Sequence, residues 1–155
     1  MNLEKYPLSI GDTFRTYEFY SIGTKGIVRK RVQFQTTARK NIFNIAFGDV
    51  NSETDDFDDM IVSNNNDTEK VLATVANSVE IFLSQYPMSK VYAEGSTPAR
   101  TRLYQISISK ILEVIEKDYN ILGFTDDDKW EKFEKNKPYS AFYIQLKSNF
   151  SDGKN

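Results

Sequence analysis

The segment Gly95-Ser96-Thr97-Pro98-Ala99-Arg100-Thr101-Arg102 gathers residue types suited to holding an anion. A strand feeds through small residues into a helix start. The first turn of a helix carries N–H groups without an intrahelical partner and the positive end of the dipole, and both favour negative charge. Ser96 and Thr97 add hydroxyl donors. Arg100 and Arg102 lie in that first turn, where cations oppose the dipole and therefore need an acidic partner. A ligand phosphate or nearby carboxylates would serve. Residues two apart do not share a helix face, so one of the two arginines points at the site. Gly95, Ser96, Thr97, Arg100 and Arg102 are thus the candidate anion site. The segment lacks the glycine spacing and the Gly-Lys-Ser/Thr ending of a P-loop. The plainer expectation is a capped helix whose arginines pair with nearby acids.

Two charge runs follow in importance. From Phe19 to Gly48 there are Lys25, Arg29, Lys30, Arg31, Arg39 and Lys40 and no acid. Arg29 and Arg31 share a strand face with Gln33 and Gln35, an auxiliary basic face that could track a phosphate backbone. Phe34 and Phe43 are expected to point inward, which leaves that face without stacking rings. From Asp49 to Asp59 the sign reverses, with Asp49, Glu53, Asp55, Asp56, Asp58 and Asp59 and no base. The run resembles a calcium loop, but Thr54 stands where that loop needs Gly and Met60 where it needs Glu. Pairing with the basic stretch is the simpler use, within the molecule or across a dimer. Asp126-Asp127-Asp128, Glu131 and Glu134 lie in a polar connector, the wrong setting for a carboxyl with a raised pKa. Gly95-Ser96-Thr97 with Glu131 and Glu134 has a generic likeness to the Ser-Thr and Glu elements of ADP-ribosyl transfer.

The 155 residues contain no His and no Cys. Thiol nucleophiles, disulfides, His or Cys zinc sites and imidazole bases are excluded. No metal and no cofactor is expected. A net charge of −2 makes no general case for nucleic acid or an anionic membrane. The first residues carry no signal-peptide pattern, and no apolar run approaches the length of a membrane span. The expectation is a cytoplasmic protein.

Residues 1–147 read as one α+β domain and 148–155 as a tail with little to bury. Strands are expected over 17–22, 27–36, 41–47 and 57–62. The alternation in 27–36 puts Val28, Lys30, Val32, Phe34 and Thr36 on the inward face. Val71, Leu72, Val75, Val79, Phe82, Leu83 and Tyr86 then form one helical stripe, with Asn66 and Glu69 as a capping box and Pro87 as the stop. A strand over 90–94 precedes a second helix with Thr97 as N-cap and Pro98 in its first turn. Strands over 119–124 and 139–147 close the chain. Between them the charged connector 126–137 reads as a helical turn, with Trp130 and Phe133 pinning it to the core. The sum is a mainly antiparallel sheet of five to seven strands with two amphipathic helices on one face.

Three stretches, Ala46-Phe47-Gly48-Asp49, Asn65 to Val75, and Tyr92 to Thr97 running on through Arg100 to Tyr104, resemble a family of short single-domain proteins from Bacteroidota, a domain of unknown function. The resemblance runs from about Tyr17 to Lys147. It implies a bacterial protein and assigns no activity or catalytic residue. Taken together, the sequence points to a non-enzymatic interaction module with a phosphate site at the second helix start and a protein partner or self-association. The alternatives are a nucleic-acid or nucleotide binder, or a toxin-like enzyme acting on a phosphate-containing substrate without His or Cys.

Overall fold

The computed structural model describes residues 4–58, 64–95 and 97–147. They form an α+β fold with a mostly antiparallel sheet, and they fall into two compact units. One comprises Met1–Gln35 and Ile45–Phe82; the other comprises Thr36–Asn44 and Leu83–Asn155. The chain therefore enters the second unit, leaves it and returns.

The first unit carries β1 (Ser9–Ile10), β2 (Thr16–Gly23), β3 (Gly26–Thr36), most of β4 (Ile42–Val50), β5 (Phe57–Asp58) and most of α1 (Thr68–Gln85). β2 and β3 form an antiparallel hairpin closing at Gly23 opposite Gly26, where the turn signal lies in the sequence. The alternation of β3 holds over Lys30, Val32 and Phe34, which are buried; Val28 is half-buried, and Thr36, expected inward, is exposed at the strand end. Phe34 stacks on Phe82 of α1 at 4.2 Å between ring centroids, and Tyr6, Phe19 and Phe47 stack in series. Rings of this size bring a large buried apolar area per residue, which suits a small core. α1 starts at Thr68, so the Asn66–Glu69 capping box does not form. Asn66 sits at φ 65°, outside helical geometry, and the Asp67 carbonyl accepts the first helical bond from Val71 N–H. The Asp67 carboxylate instead accepts from Tyr6 Oη and Ser21 Oγ, each at 2.5 Å. Asn65 completes this clamp on the hairpin through Lys25 N–H and Gly26 C=O.

The second unit orders its strands as the first residues of β4, then β6 (Lys90–Ala93), β9 (Phe142–Leu146), β7 (Tyr119–Phe124) and β8 (Trp130–Lys132). Ile42–Asn44 of β4 runs parallel to Lys90–Tyr92; the other pairings are antiparallel. α2 (Pro98–Ile115) begins with Pro at its first turn and is capped by Thr97, whose Oγ1 accepts from Arg100 N–H. The core gathers Phe133, Tyr139 and Phe142.

Among the described residues there are nine strands, more than the five to seven expected. β1 is too short for periodicity to reveal. β8 occupies the connector read as a helical turn. In a strand, positions i and i+3 face opposite ways. Phe133 is accordingly buried, while Trp130 is 38% exposed and does not pin the core. β4 runs on through Gly48 to Val50, past the end of the strand expected over 41–47. The strand expected over 57–62 is described only at Phe57–Asp58, and the expected tail 148–155 lies outside the described residues.

Candidate functional site

The centre of the basic stretch, Arg29 to Arg31, resolves into ion pairs. Glu18 on β2 lies opposite Arg31 on β3 in the antiparallel register. Arg31 Nε reaches Glu18 Oε2 at 2.7 Å, and Arg29 Nη2 reaches Glu18 Oε1 at 2.8 Å. Asp55 Oδ1 lies 3.0 Å from Arg29 and 3.3 Å from Arg31. The expected basic face thus carries two guanidiniums against two carboxylates, and both arginines are only partly exposed. Between them Lys30 points inward with no exposed surface, and its Nζ lies 2.6 Å from Asp49 Oδ1. Asp49 and Asp55 of the acidic run thus pair with Arg29, Lys30 and Arg31 within this one chain. Among the described residues no group of three or more acidic, His or Cys side chains could hold a metal ion. Nor is any helix among them long and apolar enough to cross a membrane.

The second unit presents a different arrangement. A cleft of about 960 Å³ opens at the start of α2. Glu94, Gly95, Thr97 and Pro98 line its rim; Thr101, Arg102, Gln105, Ile106, Ser109 and Lys110 line one wall; the 135–140 loop lines the other. Gly95 is what lets the strand end lie against the helix. A Cβ there would sit 2.3 Å from Thr101 N and 2.6 Å from Arg100 Cβ. The close approach is fixed by Thr101, whose Oγ1 accepts from Gly95 N–H at 2.9 Å. On the opposite wall the Tyr139 ring lies against Gly123, where a Cβ would meet Tyr139 Cδ1 at 2.4 Å. Asn136 holds φ 62°, a left-handed position that Asn tolerates well. The Gln105 amide donates to the Lys137 carbonyl and ties the loop to α2.

Four cations line this cleft, Arg102, Lys110, Lys135 and Lys137, against one carboxylate, Glu94. Lys137 is paired with Glu131 at 2.6 Å. The exposed side chains of Arg102 and Lys135 make no hydrogen bond or ion pair among the described residues. Tyr139 Oη donates to Glu131 Oε2 at 2.8 Å and accepts from Glu134 N–H. The ammonium of Lys137 and the hydroxyl of Tyr139 hold the Glu131 carboxyl below the usual carboxylate range. Burial, then the neighbouring Glu131, pushes the Tyr139 hydroxyl up. Glu131 stays ionised and Tyr139 stays neutral near pH 7, so this pair is a structural brace rather than a proton-transfer couple.

Of the residues singled out in the sequence, Gly95, Thr97 and Arg102 meet at the cleft. Thr97 Oγ1 is used as the cap acceptor, and its own proton has no acceptor among the described residues. Arg100 is not brought there; it is buried, 9% exposed, and absent from the cleft wall. Two residues along a helix rotate a side chain by about 200°, which sends Arg100 inward when Arg102 faces the cleft. Ser96 lies outside the described residues. Sequence reasoning missed Lys110, Lys135 and Lys137. Lys110 lies eight positions after Arg102, a spacing that repeats a helix face and could have been found. The loop lysines carry no such signal. No curated protein and no solved structure matches the chain. A model of a family of unknown function, DUF6934, matches residues 2–147, and the chain belongs to that family.

Proposed function

We propose that this protein is a non-enzymatic binding module, acting in a bacterial cytoplasmic system, that recognises a phosphate-bearing ligand in the cleft at the start of α2. The supporting observation is the convergence on one cleft of the helix start and of two cations without side-chain partners, Arg102 and Lys135. A guanidinium offers a planar fork of donors that fits phosphate, and a lysine adds a point charge. Ile106, Pro98 and Pro138 give the walls an apolar part for the uncharged body of a ligand. A toxin-like enzyme finds less support, since Glu131 is held as an ionised brace where acid catalysis needs a raised pKa.

The test is calorimetric titration with inorganic phosphate, pyrophosphate and a nucleoside monophosphate at low ionic strength. Arg102→Ala is expected to weaken binding by about tenfold to a hundredfold, the effect of one charge-assisted hydrogen bond. Lys135→Ala is expected to weaken it less. Absence of binding by all three probes, or binding indifferent to Arg102→Ala, would sink the proposal.

A further inference from the structure

The outward face of the second unit's sheet is aromatic. Tyr92 on β6 lies opposite Tyr143 on β9, which lies opposite Leu122 on β7. Phe124 on β7 lies opposite Trp130 on β8. The burial pattern separates the faces: Val91, Ala93, Ile121, Gly123 and Phe142 are buried, while Tyr92, Leu122, Phe124 and Tyr143 are half-buried and Trp130 is exposed. The rings form one continuous group. Trp130 and Tyr143 are 4.4 Å apart, Tyr92 and Tyr143 5.4 Å, and Phe124 and Trp130 5.0 Å.

Cations and amides are set into this face. Lys90 Nζ lies 5.6 Å from the Tyr143 ring centroid, and Lys132 stands opposite Leu122 in register. Lys147 lies just past the end of β9, where its N–H donates to the Asp118 carbonyl and brings an acid beside it. Asn44 lies opposite Tyr92, and Asn120 opposite Gln145. The acid at the edge, Glu94, accepts from the Tyr92 hydroxyl at 2.8 Å.

We propose that this aromatic sheet face, centred on Tyr92, Tyr143 and Trp130, binds single-stranded nucleic acid. Flat rings offer a stacking surface for unpaired bases, lysines on the same face neutralise the backbone, and amides bond base edges. A duplex keeps its bases stacked on one another, so it cannot use the rings. The lysines that the strands place on this face outnumber its acid: Lys90 and Lys132 stand with Glu94, whose carboxylate is engaged by the Tyr92 hydroxyl. The inference uses none of the cleft's cations and stands or falls apart from the phosphate site.

Trp130 is the single tryptophan of the chain, so its fluorescence reports on the face directly. The intact protein is titrated at low salt with an oligothymidylate and an oligouridylate of about ten nucleotides, a length within the range one small platform covers. Either strand is expected to quench Trp130, the affinity to fall as salt is added, and a duplex of equal length to leave Trp130 unchanged. Tyr143→Leu is expected to weaken binding about tenfold, the loss of one stacking partner. Tyr143→Phe, which keeps the ring, retains it. Lys132→Glu, on an exposed side chain, weakens binding without disturbing the circular dichroism spectrum. The proposal is overturned by no quenching with either strand, or by equal quenching with the duplex. It is also overturned if Arg102→Ala abolishes binding while Lys132→Glu leaves it intact. Self-association that Tyr143→Leu and Lys132→Glu both abolish, with no oligonucleotide bound, would make the face a protein interface instead.

Discussion

β3 and the α2 cleft are both rich in cations, and they treat them in opposite ways. Arg29, Lys30 and Arg31 are consecutive on a strand, and each has a carboxylate within 3.0 Å. The antiparallel register supplies Glu18 to both arginines, and the acidic run supplies Asp49 and Asp55. In the cleft the cations come from a helix and a loop; Lys137 pairs with Glu131, while Arg102 and Lys135 have no carboxylate partner among the described residues. Charge density along the chain is therefore no guide to a binding surface; the supply of neighbouring carboxylates decides.

The largest expected effect tests the paired side. Asp49→Ala removes the carboxylate 2.6 Å from a fully buried ammonium. Breaking a buried pair from one side costs about 3–5 kcal/mol, against which the gain from an intact pair is small. A denaturant midpoint unchanged by Asp49→Ala would mean that Lys30 does not depend on this partner. Next comes Gly95→Ala, whose new methyl collides with backbone of α2. Overpacking of this kind costs about 1–3 kcal/mol, and phosphate binding should weaken with it because the rim of the cleft must shift. Thermal melts with and without phosphate separate the two effects.

A smaller change would reverse the contrast. Glu18→Gln removes the carboxylate shared by Arg29 and Arg31, leaving Asp55 to face both. Stability should fall by about 1 kcal/mol or less, since these pairs are partly exposed. Retention on a heparin column should rise, because the face gains net positive charge. Unchanged retention would show that the face is inaccessible to polyanions. The smallest effect concerns pH. The Glu131 carboxyl is held below its ordinary 4.5, so its contribution to stability is complete above that value and is lost as pH falls through the lower folded value. Glu131→Gln should flatten the acid limb of a urea-midpoint profile and leave the neutral region nearly unchanged. At the other extreme, Tyr92 is pushed up to about 12 by burial and then by Glu94, so its contribution holds below its ordinary 10.0 and is lost as pH rises through about 12.

What the sequence made legible follows from the range of the interactions concerned. β7 occupies Tyr119–Phe124 as expected, and α2 starts at Pro98 behind Thr97, because alternation and capping are local signals. Lys30 could be placed on an inward face by alternation alone, but its partner Asp49 lies on another strand and no local pattern names it. The cleft shows the same division. Thr97 and Arg102 were visible at a helix start, whereas Lys135 and Lys137 join them through a loop more than thirty residues later, held by the Gln105 amide and the Tyr139 ring. The clamp at α1 was misjudged for a related reason: Asp67 serves Tyr6 and Ser21, which are distant in sequence, before it serves its own helix.

The interleaved path of the chain bears on how the protein is made. Residues 36–44 emerge from the ribosome well before the strand they pair with, since Ile42 must wait for Lys90 and Phe43 for Val91. A parallel pairing across so long a connection forms late, because the loop must close before its contacts reward it. Until then Ile42–Asn44 lacks its parallel partner, a state open to association between nascent chains. A fragment starting at Leu83 would have the converse defect, with β6 missing the neighbour that β4 provides. The second unit is thus one compact unit in space that no continuous stretch of the chain encodes.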